Sequence, residues 1–155
     1  AGIAEGGPLG EFPEISFDFL GYNFRPRKSI WHGKLHVHSF LPAISPKAVT
    51  AIGRAIRGWR LHHWVQMSLK DLAARYNKYI QGWIGYFGHF YGGRLSQTLR
   101  RIDVFLIRWA RRKYRRLLRR PRGARHWLAQ VRRADPTLFA HWRFVAQGGR
   151  TSGAV

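Results

Sequence analysis

The sequence predicts a mainly α-helical fold: a small bundle of about three main helices, preceded by a short β-hairpin or sheet fragment. Three observations predict it. From residue 46 onward, apolar residues recur at intervals of three and four. Strand-like alternation is confined to residues 15–41, and LPAISP (residues 41–46) punctuates the junction. Finally, a chain of 155 residues with 45% hydrophobic content and seven tryptophans is long enough for one domain with a real core, and too apolar to be disordered throughout.

The elements follow in order. Residues 1–14, AGIAEGGPLGEFPE, lack an initiator Met and are rich in Gly and Pro, so they read as a flexible leader or as a cut inside a longer protein. Residues 15–44 form the β segment. Phe17 and Phe19 share one face, Leu20, Tyr22 and Phe24 lie on the other, and Leu35-His36-Val37 alternates again after the turn-like SIWHGK. The helical domain spans 45–145. Its first helix runs from about Pro46 to Leu61, with Ser45 as N-cap and Pro46 at the first helical position. Val49, Ile52, Ala55, Ile56 and Trp59 make its apolar stripe, with Lys47, Arg54 and Arg57 on the other side.

A second helix starts at SLKD, where Ser68 and Asp71 make a capping-box-like pair. Leu69, Leu72, Tyr76, Ile80, Trp83, Phe87 and Tyr91 keep its period. Asn77 offers an alternative cap that would divide this segment in two. The third helix, from about Leu95 to Arg119, buries Leu95, Leu99, Ile102, Leu106 and Trp109. A shorter one around Ala124–Arg133 precedes PTLFAHW, and residues 146–155 read as a flexible tail.

The charge balance bounds the function. Lys and Arg number 28 against 7 Asp and Glu, a formal charge of +21. Such a chain is drawn to polyanions, meaning nucleic acid or an anionic membrane surface. Arginine dominates, and its planar fork suits phosphate and base edges. The absence of cysteine excludes disulfides and thiolate zinc sites, and fits a reducing compartment. No apolar run reaches the length of a transmembrane helix, and the N-terminus shows no signal pattern.

Two stretches point to nucleic acid rather than membrane. In YNKYIQGWIGYFGHFY, residues 76–91, seven of sixteen residues are aromatic, yet Gly82, Gly85 and Gly88 recur every third position. At 100° per residue Gly82 and Gly85 sit opposite the Ile80–Trp83–Phe87 stripe, in line with Arg75, Lys78 and His89. Tyr79, Tyr86 and Phe90 lie on an intermediate flank. Either the bare strip permits close helix–helix packing, or it admits a phosphate strand while Tyr79 or Tyr86 stacks on a base. On the third helix Arg94, Arg101, Arg108, Arg112, Arg115 and Arg119 fall in a narrow arc, a cationic rail about 37 Å long. From Arg94 to Arg133 the only acid is Asp103, whereas solvated faces normally intersperse both signs. A basic protein lying on an anionic membrane is the rival reading. Against it, the aromatics form internal stripes in several capped helices.

Constellations for catalysis are missing. Glu5, Glu11, Glu14, Asp18, Asp71, Asp103 and Asp135 are scattered, without paired carboxylates for Mg²⁺. His36 and His38 on a strand lack a third metal ligand, and His62-His63 reads as a dipole-favoured helix cap. There is no Walker-type phosphate loop. The residues describe a chain that binds and does not catalyse, with no cofactor of its own.

Several motifs in order carry a resemblance: FDFLGYNFRPR (17–27), SFLPAIS (39–45), AIRGWRL (55–61), SLKDLAARYNKYIQGWIGYF (68–87), LRRIDVFLIRWARRKY (99–114) and LFAHW (138–142). Over about residues 16–142 the chain resembles the C-terminal portion of bacterial group II intron reverse transcriptase–maturases. The resemblance implies that residues 15–44 correspond to the last strands of the polymerase palm, and residues 45–120 to the helical thumb, or domain X. It implies a cytoplasmic, bacterial protein whose thumb grips group II intron RNA in splicing and the template–primer duplex in reverse transcription. Relatives carry Pro at the position of Lys78, which implies a helix break there. The Tyr-Ala-Asp-Asp motif that supplies polymerase metal ligands is absent, as is a His-Asn-His endonuclease domain, so Mg²⁺ is expected only in a full-length polymerase parent. The SGAV ending resembles the terminus of endonuclease-less members. The alternative within this resemblance is a thumb fragment that works only with a separate polymerase catalytic half. Arg54 and Arg57 join Arg75, Lys78, Tyr79, Gly82, Gly85, Tyr86 and the six rail arginines as the expected RNA-binding residues.

Overall fold

A computed structural model describes residues 17–19, 22–31, 34–89 and 92–149, with side chains over 44–89 and 92–149. The described side chains build a helical domain. Upstream of it, backbone strands β1 (Phe17–Phe19), β2 (Tyr22–Trp31) and β3 (Lys34–Ile44) pair antiparallel in the order β1-β2-β3. The β segment expected over 15–44 has its side chains outside the described set up to Ile44, so no packing supports it as part of the fold. Phe17, Phe19, His36 and His38 fall in that stretch, and Leu20, Phe90 and Tyr91 also lie outside the described residues.

Helix α1 spans Pro46–Gly58, and Ser45 caps it by accepting a hydrogen bond from the Ala48 N–H at 3.1 Å. It ends three residues short of the expected Leu61. Trp59 is its C-cap and Arg60 turns left-handed, at φ 49°. A 3-10 turn, Leu61–His63, leads toward α2. This connection is held by long side chains from elsewhere. Trp64 Nε1 donates to Trp59 O and Trp109 Nε1 to Trp64 O, while Lys113 Nζ donates to Val65 O and Met67 O. Carbonyls that no helix satisfies thus find donors.

Helix α2, Leu69–Phe87, opens with a full capping box: Ser68 Oγ accepts from Asp71 N, and Asp71 Oδ2 accepts from Ser68 N. It runs unbroken through Asn77 and Lys78, which corrects both the alternative division at Asn77 and the break implied by relatives. Asn77 is engaged elsewhere. Its amide donates to Leu138 O at 2.8 Å and accepts from Ala140 N at 3.0 Å, tying α2 to the segment ahead of the last helix.

Helix α3, Gly93–Lys113, is the centre of the bundle, touching α1, α2, α4 (Pro121–Ala134) and α5 (Ala140–Ala146). Leu95, Leu99, Ile102, Leu106 and Trp109 are all fully buried, as their period predicts. Burying each such side chain contributes about 1.5–3 kcal/mol before entropy is charged. Around them pack Ile52 and Ile56 of α1, Leu72, Tyr76 and Ile80 of α2, Leu128 of α4, and Phe139, Trp142 and Phe144.

The expected end of α3 at Arg119 is corrected. The chain leaves the helix at Tyr114, which is extended (φ −106°, ψ 111°), and a 3-10 turn follows at Arg115–Leu117. The Tyr114 ring lies edge-on to Trp109 at 5.9 Å and against Trp127 of α4 at 5.4 Å. Arg111 donates twice to Leu118 O, closing the bend. Aromatic docking here overrides a run of good helix formers. At the other end of α3, the backbones of Gly92 and Gly149 approach so closely that a Cβ on either would overlap the other's carbonyl. Gly149 also sits at φ 79°, where glycine is favoured.

Asp103 joins the C-terminal helices to α3. Its Oδ1 accepts from His141 Nε2 at 2.9 Å and from Trp142 Nε1 at 2.8 Å, and its Oδ2 accepts from Arg132 at 2.8 Å. A carboxylate only accepts, so the proton facing it is on His141 Nε2. Burial pushes the Asp103 carboxyl up, but the His141 and Trp142 hydrogen bonds and the His141 and Arg132 charges outweigh that and hold it below the usual carboxylate range. Asp103→Ala is expected to destabilise the domain by about 2–5 kcal/mol, since it strands two buried donors, His141 and Trp142. The folded value is the lower one, so this carboxylate's contribution is intact above the ordinary carboxylate range and is lost as pH falls through the folded value. Denaturant melts of parent and variant at neutral and acid pH check both. The gap between them is expected to narrow as pH falls below that range.

Candidate nucleic-acid interface

Every side chain or glycine expected to touch RNA is exposed: Arg54, Arg57, Arg75, Lys78, Tyr79, Gly82, Gly85, Tyr86, Arg94, Arg101, Arg108, Arg112, Arg115 and Arg119. Their contacts gather them into two surfaces.

The first is built on α2. A Cβ added at Gly82 or Gly85 would meet nothing within 4 Å. The close-packing reading of these glycines is thereby corrected: no helix of the described chain lies against them. Tyr79 and Tyr86 flank the bare strip, 49% and 47% exposed. Lys78 lies over the Tyr79 ring at 5.1 Å, and Arg75 over Trp64 at 5.0 Å. Behind Tyr79 stands a ladder of rings. Trp59 stacks on Tyr76 at 4.5 Å and on Trp83 at 5.4 Å, with Tyr79 6.1 Å away. Trp59 and Trp83 are half-buried, so the sequence reading of them as core stripe residues captures half of their surface. Tyr86 sits edge-on to Phe87 at 4.7 Å.

The second surface follows α3. Arg94, Arg101, Arg108 and Arg112 lie on the helix and span about 27 Å at 1.5 Å per residue. Arg115 and Arg119 lie beyond its end, in the 3-10 turn and the loop before α4. The straight rail of about 37 Å is therefore corrected to a shorter one followed by a corner. Arg101 reaches across to α1: a Cβ on Gly53 would stand 2.6 Å from its guanidinium. Arg108 lies over the Phe105 ring at 5.4 Å, and the His62 ring stacks on the same Phe105 at 5.7 Å.

His62 and His63 were expected to cap a helix through its dipole, which would favour their charged forms. Instead they occupy the 3-10 turn after α1. Burial, and then the positive charges of His63, Arg112, Arg108 and Arg60, hold the His62 imidazole below its ordinary value. After burial, the influences on this ring come from neighbouring basic side chains, with no acid among them. Arg60, His62 and His63 are not among the residues the sequence marked for RNA. Their proximity to Arg108 and Arg112 depends on how the connection docks on α3, for which the sequence carries no signal.

The acids with described side chains are all committed to structure: Asp71 to its cap, Asp103 to the α4–α5 joint, and Asp135 to the Thr137 N–H and hydroxyl. Among the described residues no three His, Cys, Asp or Glu stand together as metal ligands. None of the described helices is long and apolar enough to cross a membrane.

Against known proteins, no curated protein and no solved structure gives a significant match. A family model does match. The group II intron, maturase-specific domain aligns with residues 49–127, from α1 into α4 and through both candidate surfaces. That stretch is just over half of the 155 residues, and the chain belongs to the group II intron maturase-specific domain family.

Proposed function

We propose that the chain binds folded group II intron RNA to assist splicing, and that it acts by binding, with no chemistry of its own. In a full-length polymerase parent the same surfaces would grip the template–primer duplex. The observation that carries this reading is the α2 strip: two glycines open to solvent, edged by Tyr79, Tyr86 and Lys78, on a helix whose opposite face is core. An exposed glycine costs about 1 kcal/mol of helix stability relative to alanine and returns nothing to the fold here. Bare backbone beside exposed rings is what a single-stranded or looped RNA can use, with phosphates close to the helix and bases on the aromatics. The α3 arginines add the sequence-independent attraction.

The reading is tested by the affinity for a structured group II intron RNA against an unstructured RNA of equal length in moderate salt. Tighter binding of the intron RNA is expected; equal affinity would leave only a generic polycation.

Gly82→Ala and Gly85→Ala give a second outcome. With open space at both positions, each is expected to leave the melting temperature unchanged or raise it, by up to about 1 kcal/mol of added stability. Each should weaken RNA binding. Thermal melts beside binding isotherms separate the two effects, and a lower melting temperature with unchanged affinity would defeat this use of the strip.

Charge and stacking are separable by salt. Lys78→Gln is expected to flatten the slope of log affinity against log salt by somewhat less than one unit. Tyr79→Ala should weaken binding with the slope unchanged. A salt titration of both variants beside the parent reads this directly, and identical behaviour of the two would argue against stacking at Tyr79.

A further inference from the structure

Arg60 has a backbone that arginine disfavours. It sits just past the C-terminal end of α1, at φ 49° and ψ 44°, and is the one described non-glycine residue with positive φ. Helices very often close with a residue in this conformation, and glycine is the usual choice because a Cβ is strained there. Gly58 stands only two residues earlier, so the chain carries its glycine in the wrong place for this turn. The fold gives the Arg60 side chain no compensation. It is exposed, and among the described residues it makes no hydrogen bond, ion pair or ring contact. Residues held in strained backbone with no structural return cluster at functional sites.

The surroundings of Arg60 indicate which function. The turn it opens carries His62 and His63, whose rings are 4.3 Å apart. That turn packs on α3, where the Phe105 ring is met both by the His62 ring, at 5.7 Å, and by the Arg108 guanidinium, at 5.4 Å. Phe105 thereby fixes a histidine from the turn and an arginine from α3 around one ring. Arg112 stands one helical turn beyond Arg108. The groups acting on His62 from the turn are Arg60 and His63, those from α3 are Arg108 and Arg112, and none is an acid. Five side chains able to donate hydrogen bonds or carry positive charge gather here, with no counter-charge among the described residues.

We infer that Arg60, His62 and His63, on the turn after α1, form with Arg108 and Arg112 of α3 a seat for a phosphodiester of bound RNA. The inference rests on the RNA-binding reading above and assigns it a site away from the glycine strip. In the seat, the guanidinium groups supply charge and forked donors, and the Phe105 ring holds Arg108 and His62 in place before the ligand arrives. A phosphodiester there offsets the repulsion that Arg60, Arg108 and Arg112 impose on His62.

The test is Arg60→Gly, with Arg133→Gln, an exposed arginine at the far end of α4, as the control for losing one charge anywhere. Glycine suits φ 49°, so the variant is expected to melt no lower than the parent. Its affinity for a structured group II intron RNA is expected to fall several-fold more than that of Arg133→Gln, with the salt slope flattened by roughly 0.7–0.9 unit. By NMR, the His62 ring is expected to titrate at higher pH once the protein is saturated with that RNA.

Arg60→Gly binding no weaker than Arg133→Gln, or an unmoved His62 titration, would overturn the seat. A lower melting temperature would give Arg60 a structural role and overturn it equally. The same measurements on an unstructured RNA of equal length keep the two readings apart. If the parent binds both RNAs alike, the intron-specific reading falls, while the Arg60 comparison still decides whether a phosphodiester sits at this turn. A parent that binds neither RNA overturns both.

Discussion

Asp103 lies on the helix that α1, α2, α4 and α5 all touch, and donors from the last two of these converge on it. Its side chain is only 15% exposed, and two of its three partners, His141 and Trp142, are fully buried. A carboxylate so placed must be satisfied, because an unpaired buried charge costs several kcal/mol. Satisfying it fixes where α4 and α5 can lie. The Arg132 contact sets α4 against α3, and the His141 and Trp142 contacts hold the first turn of α5 against the same point. The last packed segment of the chain, including Phe139, Trp142 and Phe144 in the core, therefore depends on one acid that sequence alone shows as an isolated exception in a basic run.

That placement has an electrostatic consequence for the outside of the molecule. Three acids, Asp71, Asp103 and Asp135, have described side chains, and each is bound to its own structural task. Asp71 neutralises nothing beyond its helix start, and Asp103 takes Arg132 out of the surplus of cations. Among the described residues, the arginines along α3 and around the Arg60–His63 turn are left without counter-charges. An ordinary soluble surface relieves such crowding by mixing signs. Here the described acids supply no such mixing, and the basic groups around His62 help to hold its imidazole below its ordinary value.

How far the sequence spoke for this fold depends on the range of the interaction. Local signals were legible. The Ser45 and Ser68 caps, the five buried positions of α3 and the exposed side of α2 all follow from neighbours within one or two turns. What failed was non-local. Asn77 looks like a cap, and became a bridge to Leu138 and Ala140 more than sixty residues away. The run after Lys113 has helical propensity, and is bent by Tyr114 docking between Trp109 and Trp127. On the candidate surfaces, the glycine strip was readable as a pattern with two possible meanings, and only the space around it separated them. Arg60 was not readable at all, since nothing in AIRGWRL says that the left-handed residue is the arginine and not the glycine.

The two surfaces also differ in what they demand of the fold. The α2 strip needs only a straight, well-capped helix with its core stripe packed, so its exposed side is free to be poor in side chains. The cationic surface is different, because it is assembled from the α1–α2 turn and from α3, and both must dock before it exists. Trp109 and Lys113 enforce that docking by donating to the carbonyls of Trp64, Val65 and Met67, while their neighbours Arg108 and Arg112 face outward. Each of these two turns of α3 thus pairs a residue that holds the connection with a neighbour that presents charge beside it. Anything that binds the assembled cations favours the docked state over the undocked one by mass action. In a chain of net charge +21, whose compact state concentrates its own repulsion, binding an anionic partner and stabilising this fold are then one and the same process.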